Sequence, residues 1–265
     1  MKFTEYIFIY TSHKEYPSSA VSLAVALAEK AEKPVCFLTS KNEKETDEKI
    51  ENVLSGWSED LCSKVEKGVE WKVLTNSKAD FEDFIEQSEA SSLIFALSEH
   101  KGFDNVRRLL KMARPLRVPY FFVKPYFDEV NLERILCPVT MLVEDRQKGV
   151  YASNLGKSFG SKVLMMTAKD YGSKAKQNSE SIVTLLDKYG IQHEEVQAER
   201  DSYKVEREAV ERAKELSAGM VLVSASRSYG LDDILFGPKE ERIINDTDIP
   251  LLLINPRADL YVLCG

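Results

Sequence analysis

The sequence predicts an α/β protein built as two tandem, doubly wound parallel sheets, one over residues 1–127 and the other over 131–265. Three observations carry that prediction. The chain repeats itself at an offset near ~128 residues, a period that means duplicated domains and not a solenoid. Within each half, apolar strands alternate with amphipathic helices, which favours right-handed crossovers and a parallel sheet covered on both faces. Strands such as Leu251-Leu252-Leu253-Ile254 are apolar without interruption, as a strand buried on both faces must be.

The repetition pairs four segments. Residues 6–12 correspond to 134–140, 34–39 to 162–167, 93–97 to 220–224, and 118–123 to 249–254. In the second half a strand over 135–139 precedes a helix over 144–159, which Gly160 can end by accepting a positive φ. A strand over 162–167 follows. A helix through Ile182, Val183, Leu185, Leu186 and Tyr189 ends at Gly190, and a third strand covers 193–198. Ala209, Val210, Ala213 and Leu216 share one face of the next helix, which Gly219 is expected to end before the strand at Met220. The first half repeats the order with helices around 19–31, 45–61, 81–88 and 105–116, and residues 124–131 form a short linker.

Composition bounds the function. With 265 residues, 43% of them apolar and 30% charged, the chain is long enough for two cores and too apolar for disorder. A net charge of −7 argues against a nucleic-acid or anionic-membrane binder, because both need a basic footprint. The N-terminal apolar run is short and interrupted, so it reads as a strand and not a signal peptide, and no segment approaches the length of a membrane span. Cys36, Cys62, Cys137 and Cys264 show no paired spacing, which fits buried, reduced thiols in a cytoplasmic protein.

The most informative segment is 221–255, VLVSASRSYGLDDILFGPKEERIINDTDIPLLLIN. A buried strand runs into a loop containing Gly230 and Gly237, then into a helix opening near Pro238, then into a second apolar strand. Such a loop can aim backbone N–H groups and a helix N-terminus at an anion.

Two units of this size, each with an apolar first strand, a Gly-bearing loop after the fourth strand and an X-Pro opening to the fifth, resemble the universal stress protein family in its tandem form. Arg134-Ile-Leu-Cys-Pro-Val139 and residues 219–256 carry the resemblance most closely. It implies Rossmann-like (adenine nucleotide alpha hydrolase-like) sheets of strand order 3-2-1-4-5, with a ligand crevice beyond strands one and four. In the second half those strands end at Thr140 and Ser224. Family members that bind ATP carry a loop G-x2-G-x9-G-[ST] and an acid ending the first strand. The corresponding positions here are Ser224, Arg227, Gly237 and Pro238, with Thr140 in place of the acid, and Gly237 alone matches. Arg227 puts a side chain where backbone should approach phosphate, although its guanidinium could bind an anion. Pro238 removes a hydroxyl and an N–H donor while remaining compatible with the first helical position. The cofactor expectation is therefore none, with ATP or AMP as the ligands the family would imply.

The first-half loop, residues 97–105, has a single glycine, Gly102, and offers no phosphate cradle. It does bring a different chemistry: His13 after strand one and Glu99, His100 and Lys101 after strand four could converge as a general base or metal site, or be solvated loop residues. Arg107, Lys111 and Arg114, joined by Arg108 and Arg117, form a basic helix face that could dock an acidic partner or lie solvated. The resemblance further implies that the two fifth strands, around 120–123 and 251–254, pair within the chain as a pseudo-dimer, with homodimerisation open. Three function classes result: a non-catalytic stress-associated interaction protein with an unknown protein partner, an adenine-nucleotide switch or slow ATPase using the second half, and an enzyme using the His13 and His100 crevice.

Overall fold

The computed structural model describes residues 5–41, 46–75, 78–98, 105–127, 130–226 and 238–256. The chain divides into two compact units, Met1–Val130 and Asn131–Gly265.

In the first unit β1 (Ile7–Tyr10), β2 (Val35–Ser40), β3 (Val69–Leu74), β4 (Ser92–Ala96) and β5 (Tyr120–Val123) form a parallel sheet in the order 3-2-1-4-5. Helices α1 (Ser18–Ala31), α2 (Asp47–Cys62), α3 (Lys78–Gln87) and α4 (Val106–Ala113) connect them. The core is aromatic. Tyr10 packs edge-on against Phe81 at 5.2 Å and Phe95 at 5.7 Å, and Phe95 stacks on Phe122 at 5.0 Å. Such pairs add to burial when offset or edge-on.

The second unit repeats the plan with β6 (Arg134–Val139), β7 (Lys162–Thr167), β8 (His193–Gln197), β9 (Met220–Ser224) and β10 (Leu251–Ile254), again parallel and in the equivalent order. Its helices are α5 (Lys148–Phe159), α6 (Lys174–Lys188), α7 (Val205–Arg212) and α8 (Lys239–Asp246). The register recurs at an offset of about 128: Ile7 faces Val35 and Ser92, and Ile135 faces Val163 and Met220. Duplication is thus preserved at single-residue precision across the two central strands.

Several local expectations meet the structure differently. The helix expected over 144–159 opens as a 3-10 turn over Val143–Gln147 before α5 begins, and that tighter turn carries Asp145 inward. Gly160 takes the positive φ expected of it, at 68°, and Gly190, expected to end the next helix, takes one too, at 66°. Gly219 has another reason to be glycine. The left-handed residue after α7 is Ser217, at φ 53°, while a Cβ on Gly219 would lie 1.4 Å from the Asn131 carbonyl oxygen. Pro238 is the N-cap of α8, one position before the first helical residue. Cys36 and Cys137 are buried free thiols as expected, whereas Cys62, at the end of α2, is exposed because it lies off the face that Ile50, Leu54, Ser58 and Leu61 bury. Cys264 lies outside the described residues.

Candidate functional site

Ligands of doubly wound sheets sit beyond the carboxyl ends of the strands where the order reverses. In the second unit that place is flanked by Thr140, just after β6, and Ser224, the last residue of β9, both buried. A cavity of about 400 Å³ opens there, bounded among others by Thr140, Leu142, Ser202, Tyr203, Glu206, Ser224, Ser226 and Lys239.

Beneath it lies a charge cluster. Lys148, in the first turn of α5, has no exposed surface, and its ammonium makes three contacts: the Pro138 carbonyl at 2.7 Å, Glu206 Oε1 at 3.0 Å and Asp145 Oδ1 at 3.3 Å. Two of its three N–H donors are thus hydrogen-bonded, and the Asp145 contact is an ion pair. Ser224 Oγ donates to Asp145 Oδ1 at 2.5 Å, and the Thr140 backbone N–H donates to Asp145 Oδ2 at 2.6 Å. Glu206 Oε1 also accepts from the Ser224 backbone N–H at 2.9 Å, while Oε2 accepts from Lys239 Nζ at 2.8 Å. The Ser226 backbone N–H donates to Glu240 Oε1, a second buried carboxylate.

The amides at the two strand ends are therefore all in use. Met141 N–H donates to Ser202 Oγ at 2.8 Å, Leu142 N–H to Thr140 Oγ1 at 3.2 Å and Ala225 N–H to the Ile254 carbonyl at 2.9 Å. Together with Thr140, Ser224 and Ser226, these account for every backbone donor at positions 140–142 and 224–226. Asn178, buried on α6, fixes the first of these segments by donating to the Thr140 and Leu142 carbonyls at 3.0 and 2.9 Å. A crevice that would hold an anion through free N–H groups offers none at these six positions.

The electrostatics follow from burial and pairing. Burial acts to raise the Glu206 pKa, but the adjacent Lys239 and Lys148 charges, with hydrogen bonds from Lys239 and Ser224, bring it down from its ordinary 4.5 to about 2. Burial likewise pulls Lys148 down, and Asp145 and Glu206 override it, so the ammonium is held above its ordinary range. Burial pushes the Cys137 thiol up to about 12 against the opposing Lys148 charge, which makes it a structural thiol and not a nucleophile. Because the Glu206 pKa is depressed by folding, its contribution to stability is fully present above 4.5 and is lost as pH falls toward about 2. A melting series across that window is expected to show a steep acid loss that Glu206→Gln reduces. An unchanged acid slope in that variant would remove Glu206 from the account.

Of the residues singled out in the sequence, Thr140, Ser224 and Pro238 are in place, with Thr140 and Ser224 lining the cavity and Pro238 capping α8. Arg227, Gly230 and Gly237 lie outside the described residues, as do Glu99, His100, Lys101 and Gly102 of the first-unit loop. His13 is half-buried in the turn after β1. No group of three or more metal-ligating side chains occurs among the described residues. Arg107, Arg108 and Arg114 on the α4 face all make contacts within the structure. Asp145, Lys148, Glu206, Lys239 and Glu240 went unnoticed in the sequence, although a signal was present. Glu206 precedes Ala209, Val210 and Ala213 at helical spacings of three, four and seven, which puts a carboxylate on an apolar stripe.

Comparison with known proteins agrees with the architecture. A universal stress protein from Archaeoglobus fulgidus DSM 4304 superposes with a TM-score of 0.68 at 14% identity, over 97% of this chain and 98% of its own. A protein of unknown function from Pseudomonas aeruginosa PAO1 gives 0.63 at 13% identity, over 98% and 95%. A third, from P. aeruginosa UCBPP-PA14 and provisionally described as a universal stress protein, gives 0.61 at 14% identity, over 98% and 96%. No family model and no curated protein sequence matches the chain. The chain thus has the fold of tandem universal stress proteins along nearly its whole length. No helix among the described residues is long and apolar enough to cross a membrane.

Proposed function

We propose that this chain is a stress-associated regulatory or interaction protein of the universal stress protein family, cytoplasmic and without catalysis, whose ATP binding is weak or lost. One observation carries the proposal: at the ends of β6 and β9, Asp145, Glu206 and Glu240 already accept the backbone N–H groups of Thr140, Ser224 and Ser226. A nucleotide phosphate placed there would have to displace a hydrogen-bonded carboxylate from these donors or sit beside it, and like charges in a poorly solvated crevice repel.

The face around the cavity supports a protein partner. Leu142, Val143, Tyr171 and Tyr203 are all exposed. Their loops meet through Asp170, which accepts from the Ser202 backbone N–H at 3.0 Å, and through the Met141 N–H bond to Ser202 Oγ. Clustered apolar surface on a folded chain is a mark of interaction sites.

The adenine-nucleotide switch is the second reading, favoured by the cavity itself and by Lys239 on its wall. The melting temperature of the full chain with millimolar ATP or AMP and magnesium separates the two. A ligand that binds only the folded state must raise stability by mass action. The interaction reading expects no shift beyond that of sodium chloride at matched ionic strength, and a saturable rise makes the switch the better account.

A further inference from the structure

We infer that Glu206 occupies a preformed oxyanion site, so that the chain supplies from α7 the anion that a free carboxylate, phosphate or sulfate would otherwise provide. This deepens the non-nucleotide reading above and rests on it. The donors converge from three separate elements: Lys148 from α5, Lys239 from α8 and the Ser224 backbone N–H from the end of β9. They meet the two carboxylate oxygens at 3.0, 2.8 and 2.9 Å, the distances of charge-assisted bonds.

Two of the three donors are held independently of the occupant. Lys148 is also tied to the Pro138 carbonyl and to Asp145, and the Ser224 amide belongs to a β9 register paired with β10. Access exists as well. Lys239 keeps 41% of its side chain exposed, and both Lys239 and Glu206 border the cavity. Shortening Glu206 to alanine would leave two ammonium groups and an amide around a space of carboxylic-acid size, open on the cavity side. Lys239 would lose the carboxylate it pairs with and Lys148 one of its two, and a small anion able to enter would restore both contacts.

The test is chemical rescue of the full-length Glu206→Ala chain. Its melting temperature is measured in graded sodium acetate and in sodium chloride at equal ionic strength, with the parent chain as the control for general salt effects. The expected result is a saturable rise in acetate of roughly 5 °C that chloride does not reproduce and the parent does not show. Adding Lys239→Met to the alanine variant is expected to abolish the response, because one arm of the cradle is gone. If the alanine variant does not fold in chloride, refolding yield in acetate against chloride becomes the readout, and a higher yield in acetate is expected. Equal behaviour in the two salts, by whichever readout, overturns the inference. The two claims fail separately. Nucleotide binding by the parent chain would remove the functional reading and leave acetate rescue standing, whereas absent rescue would remove the self-filled site and leave the functional reading untouched.

Discussion

Lys148→Met is expected to destabilise the second unit by about 3–5 kcal/mol, the range for breaking a buried ion pair by removing one partner. The reason lies in what stays behind. Lys148 and Asp145 have no exposed surface and Glu206 is nearly as buried, so the variant retains two carboxylates that lose their shared cation. Methionine matches the volume, which separates the charge effect from a cavity effect. Glu206 would lose one of the two cations that depress its pKa, so the variant should lose less than the parent on acidification. Urea unfolding followed by circular dichroism at neutral and acidic pH reads both effects. A loss below about 1 kcal/mol would mean that the cluster is solvated enough to tolerate the change.

Gly219→Ala is expected to be comparably severe by a different route. The added Cβ would sit 1.4 Å from the Asn131 carbonyl oxygen and 2.6 Å from its carbon. Both are backbone atoms, and Gly219 is itself held by an N–H bond of 2.9 Å to the Arg134 carbonyl, so neither strand can yield cheaply. Overpacking against backbone places the loss above about 3 kcal/mol, at the upper end for such changes. Gly156→Ala is the internal control. Its Cβ would meet Ile191 Cγ2 at 2.4 Å, but an isoleucine side chain that keeps some exposed surface can rotate away, so a smaller loss is expected. Urea unfolding of the two variants side by side gives the comparison, and equal losses would contradict the backbone argument.

How far the sequence discloses this molecule depends on which physical signal each element leaves. The central strands β1, β4, β6 and β9 are apolar along their length because they are covered on both faces, and such runs are visible without a structure. The repeat predicts a third strand in the first unit without giving its position. Its sequence, Val-Glu-Trp-Lys-Val-Leu, is buried only at its two ends and carries Glu70 and Lys72 on a partly exposed middle, as an edge strand can, and those charges hide it. The crevice was legible as a place, since Thr140 and Ser224 are where strand order puts it. Its contents were not, because they are not the residues of a phosphate loop. The anion partners come instead from Asp145 on the 3-10 turn, Glu206 on α7 and Glu240 on α8, which take the amides of Thr140, Ser224 and Ser226, and Asp145 also takes the Ser224 hydroxyl from 79 residues away. Buried carboxylates on apolar helix stripes hint at such partners, but pairing across the fold depends on topology that spacing alone does not contain.

The central claim is that the crevice amides are satisfied by the protein's own carboxylates. Amide hydrogen exchange, resolved by residue at Thr140, Ser224 and Ser226 in the full-length chain with and without millimolar ATP and magnesium, tests it most directly. The account predicts that all three amides are already protected without nucleotide and that ATP leaves their rates unchanged. Fast exchange in the free chain that slows when ATP is added would contradict it, because those donors would then be open and waiting for a phosphate.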